Sequence, residues 1–232
     1  MGIAVAVVLL PDLSRRLTAG DDTGARSAFN RAGEISLALT VPAAAALVVI
    51  PTALISVLFQ RGSFTAEDTA VALYGLGLPA FVLQKVLQPL YFARQDTRTP
   101  FRFAVVAMVV NAVIAVGGSY VIGWHAAVIS STIAAWAMVW LLWRGTAPLG
   151  DVARFDTRFY KRLGRVCLSS GIMALALIGG ATVLGDALNS PGWRYLALAG
   201  LVTSGIVVYF ASAQLTGALS LSEIRGAFRR SK

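Results

Sequence analysis

Seventeen of the twenty Lys and Arg residues in this 232-residue chain fall on alternate connections between long apolar segments; the intervening connections hold only Arg61 and Arg194. Short cationic loops resist translocation across a bilayer, so this alternation marks a chain threaded back and forth with its basic connections on the cytoplasmic side. Composition agrees. Charged residues make up 13% of the chain and hydrophobic residues 57%, against a charged share of about 25% in soluble domains. The net charge of +9 could suit nucleic acid, but these cations sit in short connections and not along one polar face. Membrane lipids are therefore the expected partners and nucleic acid is not. Cys167 is the single cysteine, which excludes a disulfide framework; placed in an apolar run, it is expected to be a small buried hydrophobe.

A bilayer core takes about 20 helical residues to cross. Residues 35–60 carry no charge and contain Pro42 and Pro51, so they form a first span, tilted or kinked. Residues 69–93 form a second, interrupted only by Lys85, and 103–143 split at Gly117, Gly118 and Gly123-Trp124-His125 into two spans joined by a tight hairpin. The fifth and sixth spans are 166–185 and 195–216, whereas Met1 to Pro11 is only half a span and reads as the tail of a truncated transmembrane helix. The expected fold is thus an all-α membrane protein of six full transmembrane helices plus an N-terminal half-helix.

Between the spans, residues 12–34 are expected to form a cytoplasmic interfacial helix interrupted near Gly20, with Leu13, Leu17, Ala25, Ala28 and Phe29 on one face. Residues 147–165 read as a basic cytoplasmic linker and 218–232 as a basic cytoplasmic tail. Thr99-Pro100 is expected to open the third span with a capping hydroxyl and a first-turn proline, and Thr65-Ala66-Glu67-Asp68 to cap the second. The five tryptophans are expected mostly near span ends, at the lipid interface.

No catalytic constellation accompanies this framework. The only histidine, His125, lies in a hairpin turn, and the carboxylates lie in connections and not in membrane-embedded pairs, so an enzyme is not expected. Lys85 is the exception among the spans. A charge within the membrane normally faces a bundle interior or an aqueous cavity, although Lys85 is near enough to the cytoplasmic end to snorkel instead. Gln84 and Gln88 flank it, and Gln88 shares its helix face, a polar surface suited to a diphosphate. Asn111, Ser130, Ser131 and Thr132 suit interhelical hydrogen bonding, or alternatively a weak cation site of amide and hydroxyl oxygens.

Three strings carry a resemblance: Val8-Leu9-Leu10-Pro11-Asp12-Leu13-Ser14, Leu58-Phe59-Gln60-Arg61-Gly62-Ser63-Phe64-Thr65 with Asp68-Thr69, and Lys85-Val86-Leu87 followed by Tyr91 and Arg94-Gln95-Asp96-Thr97-Arg98-Thr99-Pro100. In order and spacing across the whole chain they resemble the MurJ/MviN lipid II flippases of the multidrug/oligosaccharidyl-lipid/polysaccharide exporter superfamily. That resemblance implies a bacterial inner-membrane transporter of fourteen helices, two six-helix lobes and two extra helices, which moves undecaprenyl-diphosphate-linked peptidoglycan precursor outward by alternating access. It implies that residues 35–146 belong to the second lobe, that 166–217 are the two extra helices with a groove for the lipid tail, and that a first lobe is the missing partner. No cofactor is implied; sodium or the membrane potential would supply coupling. Lys85 and Arg165 match basic family positions and, with Gln84 and Gln88, become the candidate substrate-binding residues. Asn111 and Thr132 are weak sodium-site candidates, because Ala115 stands one turn after Asn111 where a carboxylate would be expected. A polyprenyl-linked polysaccharide exporter of the same superfamily, or a structural half-transporter, are the alternatives.

The charge pattern also fixes a test of sidedness. A topology reporter fused after Arg154 should report the cytoplasm and one at Asn189 the periplasm, with the C-terminus inside; the reverse pair of signals would overturn the orientation.

Overall fold

A computed structural model describes residues 2–58, 68–190 and 192–218. Among these the chain is helical throughout: α1 (Gly2–Thr18), α2 (Asp22–Val49), α3 (Pro51–Leu58), α4 (Asp68–Phe92), α5 (Arg98–Ile122), α6 (His125–Gly145), a 3-10 helix (Ala147–Ala153), α7 (Thr157–Val183), α8 (Gly185–Asn189) and α9 (Arg194–Leu215). Six of these helices are long and apolar enough to cross a membrane, matching the six expected spans. The chain is a multi-pass membrane protein.

Several boundaries differ from the sequence expectation. Residues 12–34 do not make a helix of their own: 12–18 continue α1 through Pro11, and 22–34 begin α2. The break falls at Gly20, whose φ of 72° is left-handed; the Asp21 N–H then reaches back to the Arg16 carbonyl at 2.9 Å, closing α1 as a glycine C-cap should. Likewise α7 starts at Thr157 and the 3-10 helix covers Ala147–Ala153, so the basic linker is helical on both sides of 154–156, and many cations that seemed to sit in loops lie on helix ends. Their long aliphatic stems let them occupy a helix end while the charge stays wet. Cys167 is exposed, contrary to expectation. Trp136 lies inside α6, where its indole N–H donates to the Leu76 carbonyl at 3.1 Å.

The helix starts show which groups do the capping. Asp21 accepts from the Gly24 N–H at 2.8 Å, Asp96 from the Thr99 N–H at 3.0 Å and Asp156 from the Phe159 N–H at 2.7 Å, at the openings of α2, α5 and α7. Thr99 is therefore capped and not the cap; α5 opens at Arg98, ahead of it. A carboxylate meets the free N–H groups and the positive end of the helix dipole at once, which a hydroxyl cannot. The Thr65 cap lies outside the described residues.

By packing, the chain forms two compact units. The first comprises 1–40 and 73–160, the second 41–72 and 161–232. In the first, α1, α2, α4, α5, α6 and the 3-10 helix share one apolar core around Leu13, Phe29, Val86, Leu90, Tyr91 and Leu142, each at most 1% exposed. A ladder of side-chain hydrogen bonds joins α4 to α6. Thr132 and Trp136 donate to the carbonyls of Leu73 and Leu76, and Gln84 and Tyr91 donate to those of Ala135 and Leu142. The outermost pairs, Leu73 with Thr132 and Tyr91 with Leu142, rise in number on both helices, so α4 and α6 run parallel. The α5 segment between them returns through the Gly123 turn, φ 61°, which is the threading that the charge alternation requires. In the second unit, α3 packs against α8 and α9, and Gly180 and Gly205 seat Leu201 and Leu177 where a Cβ would come within 2.6 and 2.8 Å of them.

Two predictions test this packing. A Cβ on Gly145 would lie 2.6 Å from the Tyr91 hydroxyl and 2.7 Å from Phe103, whereas one on Gly164 meets nothing within 4 Å. Gly145→Ala should therefore destabilise the protein in detergent by about 1–3 kcal/mol, the usual penalty of overpacking, while Gly164→Ala should leave the melting temperature level or slightly raised; equal melting of the two would refute the close approach. Hydrogen bonding from the Thr99 hydroxyl and N–H holds the Asp96 carboxyl below its usual value. A lowered folded pKa contributes stability that is complete above the unfolded value, near 4, and fades as pH falls through the folded one. Asp96→Ala should lower the melting temperature at neutral pH, and Asp96→Asn, also a good cap, should hold it while flattening its fall in acid.

Candidate functional site

The polar window of α4 lies between Pro79 and Pro89. Val86, Leu87, Leu90 and Tyr91 turn into the core of the first unit, none more than 1% exposed. That burial leaves Lys85 on the opposite side, exposed, on a stripe with Phe81 above and Phe92 below, 41% and 38% exposed. Lys85 makes no ion pair among the described residues, so its ammonium is available to an anion. Gln88, half-buried, lies one turn on along the same face. Gln84 is turned away: its amide donates to the Ala135 carbonyl at 3.0 Å and ties α4 to α6.

The string that follows Lys85 builds the end of this window. Tyr91, 1% exposed, donates to the Leu142 carbonyl at 2.6 Å and meets Phe103 edge-on at 6.5 Å. Arg94 donates to the Leu149 carbonyl at 3.0 Å, Gln95 turns the chain with φ 60°, and Asp96 caps α5. Tyr91 and Arg94 fix the connection between α4 and α5 against α6 and the 3-10 helix, while Gln95 and Asp96 shape its turn into α5, so Lys85 is presented from a braced support. Sequence reasoning used this string to recognise a family and missed its structural work; the signal was an Asp three residues before Thr99, a capping spacing.

Arg165, the other basic candidate, belongs to the second unit, where it is exposed and donates to the Gly217 carbonyl at 3.2 Å. With Arg162, which donates to the Ala218 carbonyl at 3.0 Å, it meets the carbonyls at the end of α9; cations are favoured at that end of a helix dipole. Lys85 and Gln88 thus share one face, while Gln84 and Arg165 hold backbone. Asn111 is half-buried on α5, and Thr132 donates its hydroxyl hydrogen to the Leu73 carbonyl at 2.9 Å. Among the described residues no cluster of three or more His, Cys, Asp or Glu could hold a metal ion. His125 opens α6 and stacks on Trp124 at 3.9 Å, a turn contact. Arg61 lies outside the described residues.

Comparison with known proteins bears on this arrangement. The family model described as "Lipid II flippase MurJ" matches residues 1–203. Among curated proteins, the probable lipid II flippase MurJ of Rhizobium meliloti (strain 1021) is 40% identical over 99% of this chain and 44% of its own length. That of Rhizobium tropici is 33% identical over 100% and 45%, and that of Vibrio cholerae serotype O1 is 32% identical over 97% and 44%. The chain thus spans somewhat under half the length of these relatives. A solved structure titled "Lipid II flippase MurJ, inward closed conformation" superposes with a TM-score of 0.71 over 92% of this chain and 42% of that one, at 22% identity, a likeness of fold. Six apolar helices, a family match over most of the chain and a relative 40% identical along nearly all of it agree: the chain belongs to the MurJ lipid II flippase family.

Proposed function

We propose that this chain supplies the C-terminal part of a lipid II flippase in the bacterial inner membrane: the second lobe and the two extra helices of a fourteen-helix transporter. It works by alternating access with a first lobe and is inactive without one. The cargo is the undecaprenyl-diphosphate-linked peptidoglycan precursor, moved from the cytoplasmic to the periplasmic leaflet with no bond made or broken. The observation that carries this reading is Lys85, a cation with no ion-pair partner among the described residues, on an exposed stripe shared with Gln88 within a membrane-spanning helix of a flippase-family chain. A doubly charged diphosphate needs such a partner, because a charge in the membrane is stable only beside a counter-charge or water.

In this reading Gln88 adds a hydrogen-bond donor to the diphosphate from the same face, while Gln84, tied to the Ala135 carbonyl, braces α4 against α6, and Arg165 holds the end of α9 within its own unit. The polyprenyl tail stays in lipid, along α7 and α9. Gly171, Gly179 and Gly200 leave the helix surface there open for it, since a Cβ at any of them would meet nothing within 4 Å. Asn111 and Thr132 would contribute at most a weak sodium site, so coupling by the membrane potential is the simpler assignment.

The test uses an intact transporter containing this chain, in cells depleted of their own lipid II export. Lys85→Ala should lower export by about 10- to 100-fold, the range for losing one hydrogen bond to a charged group at ~1.5–3 kcal/mol. Arg61→Ala at equal membrane level should have a smaller effect. Equal export by the two variants would remove Lys85 from the cargo site.

A further inference from the structure

One face of α2 in the first unit is given over to a six-residue stretch of the chain, 154–159. Arg26, Phe29, Asn30, Gly33 and Glu34 recur on α2 at spacings of three and four, so they form a single stripe. Asn30, 3% exposed, is satisfied at both ends of its amide: its nitrogen donates to the Arg154 carbonyl at 3.2 Å and its oxygen accepts from the Asp156 N–H at 2.9 Å. The Arg26 guanidinium donates to the same Arg154 carbonyl at 3.1 Å. Between them the Phe155 ring stacks on Phe29 at 4.8 Å, Trp143 at 5.0 Å and Phe159 at 3.8 Å. Gly33 lies beneath these rings, where a Cβ would come 3.0 Å from Phe159 and 3.1 Å from Phe155. Glu34 faces Arg158 at 3.8 Å. Asp156, held by Asn30 through its backbone, caps α7 through its side chain.

No single bond here is strong, but together they replace the backbone partners that an extended stretch has lost. Both hydrogen-bonding ends of Asn30 are used on the main chain of 154–156, as a strand partner would use them. Both α2 and α7 run on from this unit into the second, leaving it after Thr40 and Tyr160. The stretch 154–156 is the non-helical joint between the 3-10 helix and α7, and it is the stretch that α2 holds.

We propose that Asn30 is a positioning residue: with Phe155 it forms a clamp that stays closed through the transport cycle, so that the segment 154–159 and the first turn of α7 move as one body with α2. This rests on the flippase reading. A positioning clamp differs from a mere packing contact in two ways. Its loss should impair export more than it impairs folding, and locking it covalently should do no harm.

The experiment uses the intact transporter containing this chain, in a cysteine-free background that includes Cys167→Ser. Asn30→Ala should lower lipid II export about tenfold, equivalent to 1.4 kcal/mol, at unchanged membrane level. It should also speed hydrogen exchange at the Asp156 amide while leaving the α5 amides as they were. The pair Asn30→Cys with Asp156→Cys should export poorly when reduced and recover when joined by a short bifunctional thiol reagent. Loss of export on cross-linking would mean that the clamp opens during the cycle, and unchanged export in Asn30→Ala would mean that it positions nothing; either overturns the proposal. Should the unaltered transporter move no lipid II, the flippase reading falls. The exchange measurement then still judges the clamp: faster Asp156 exchange in Asn30→Ala supports it, and equal exchange overturns it.

Discussion

Hydrocarbon offers no partner to a backbone N–H or C=O, and that single constraint orders most of this structure. Within the spans it demands helices, since only a helix satisfies its own backbone. Where helices must be joined sideways, the donors are side chains and the acceptors are carbonyls already engaged within a helix, which keep a second lone pair. The four bonds between α4 and α6, from Thr132, Trp136, Gln84 and Tyr91, all have this form. Each contributes modestly, on the order of 0.6 kcal/mol in comparable membrane proteins, so they act more by fixing register and direction than by their strength. At the ends, where the helix dipole and unpaired groups meet water, aspartates cap α2, α5 and α7 and arginines meet the last carbonyls around α9.

The same constraint explains how much was legible beforehand. Apolar length and charge spacing report directly on a bilayer, and so the six spans, the α5–α6 hairpin and the break at Gly20 could all be read from the sequence. Charge positions are blunter at boundaries, because an arginine such as Arg158 can sit on a helix end and reach water; hence the early start of α7. Thr99 was read as the cap by its residue type, yet Asp96 takes that role because a carboxylate at the right spacing outcompetes a hydroxyl. Cys167 defied expectation because in a membrane protein an exposed position can face lipid, and Trp136 lies away from a span end because its indole finds a partner on a neighbouring helix.

Of the candidate site, Lys85 was visible at once, as a lone charge within an apolar span. Its support was not. Asn30 and Phe155 are separated by more than a hundred residues and neither breaks a pattern; only the fold brings them together. Gln84 looked like a partner of Lys85 by adjacency, but helical geometry turns neighbouring residues about 100° apart, and the contact with Ala135 claims it.

The functional account depends on a rigid scaffold presenting a single cation to a charged cargo, in a chain spanning somewhat under half the length of its flippase relatives. Its most direct test joins this chain to the first part of the Rhizobium meliloti relative and measures, leaflet by leaflet, where lipid II resides in cells that have no other route for its export. The account predicts that lipid II reaches the periplasmic leaflet and that growth is restored. A chimera that inserts fully into the membrane, folds, and leaves lipid II in the cytoplasmic leaflet would contradict it.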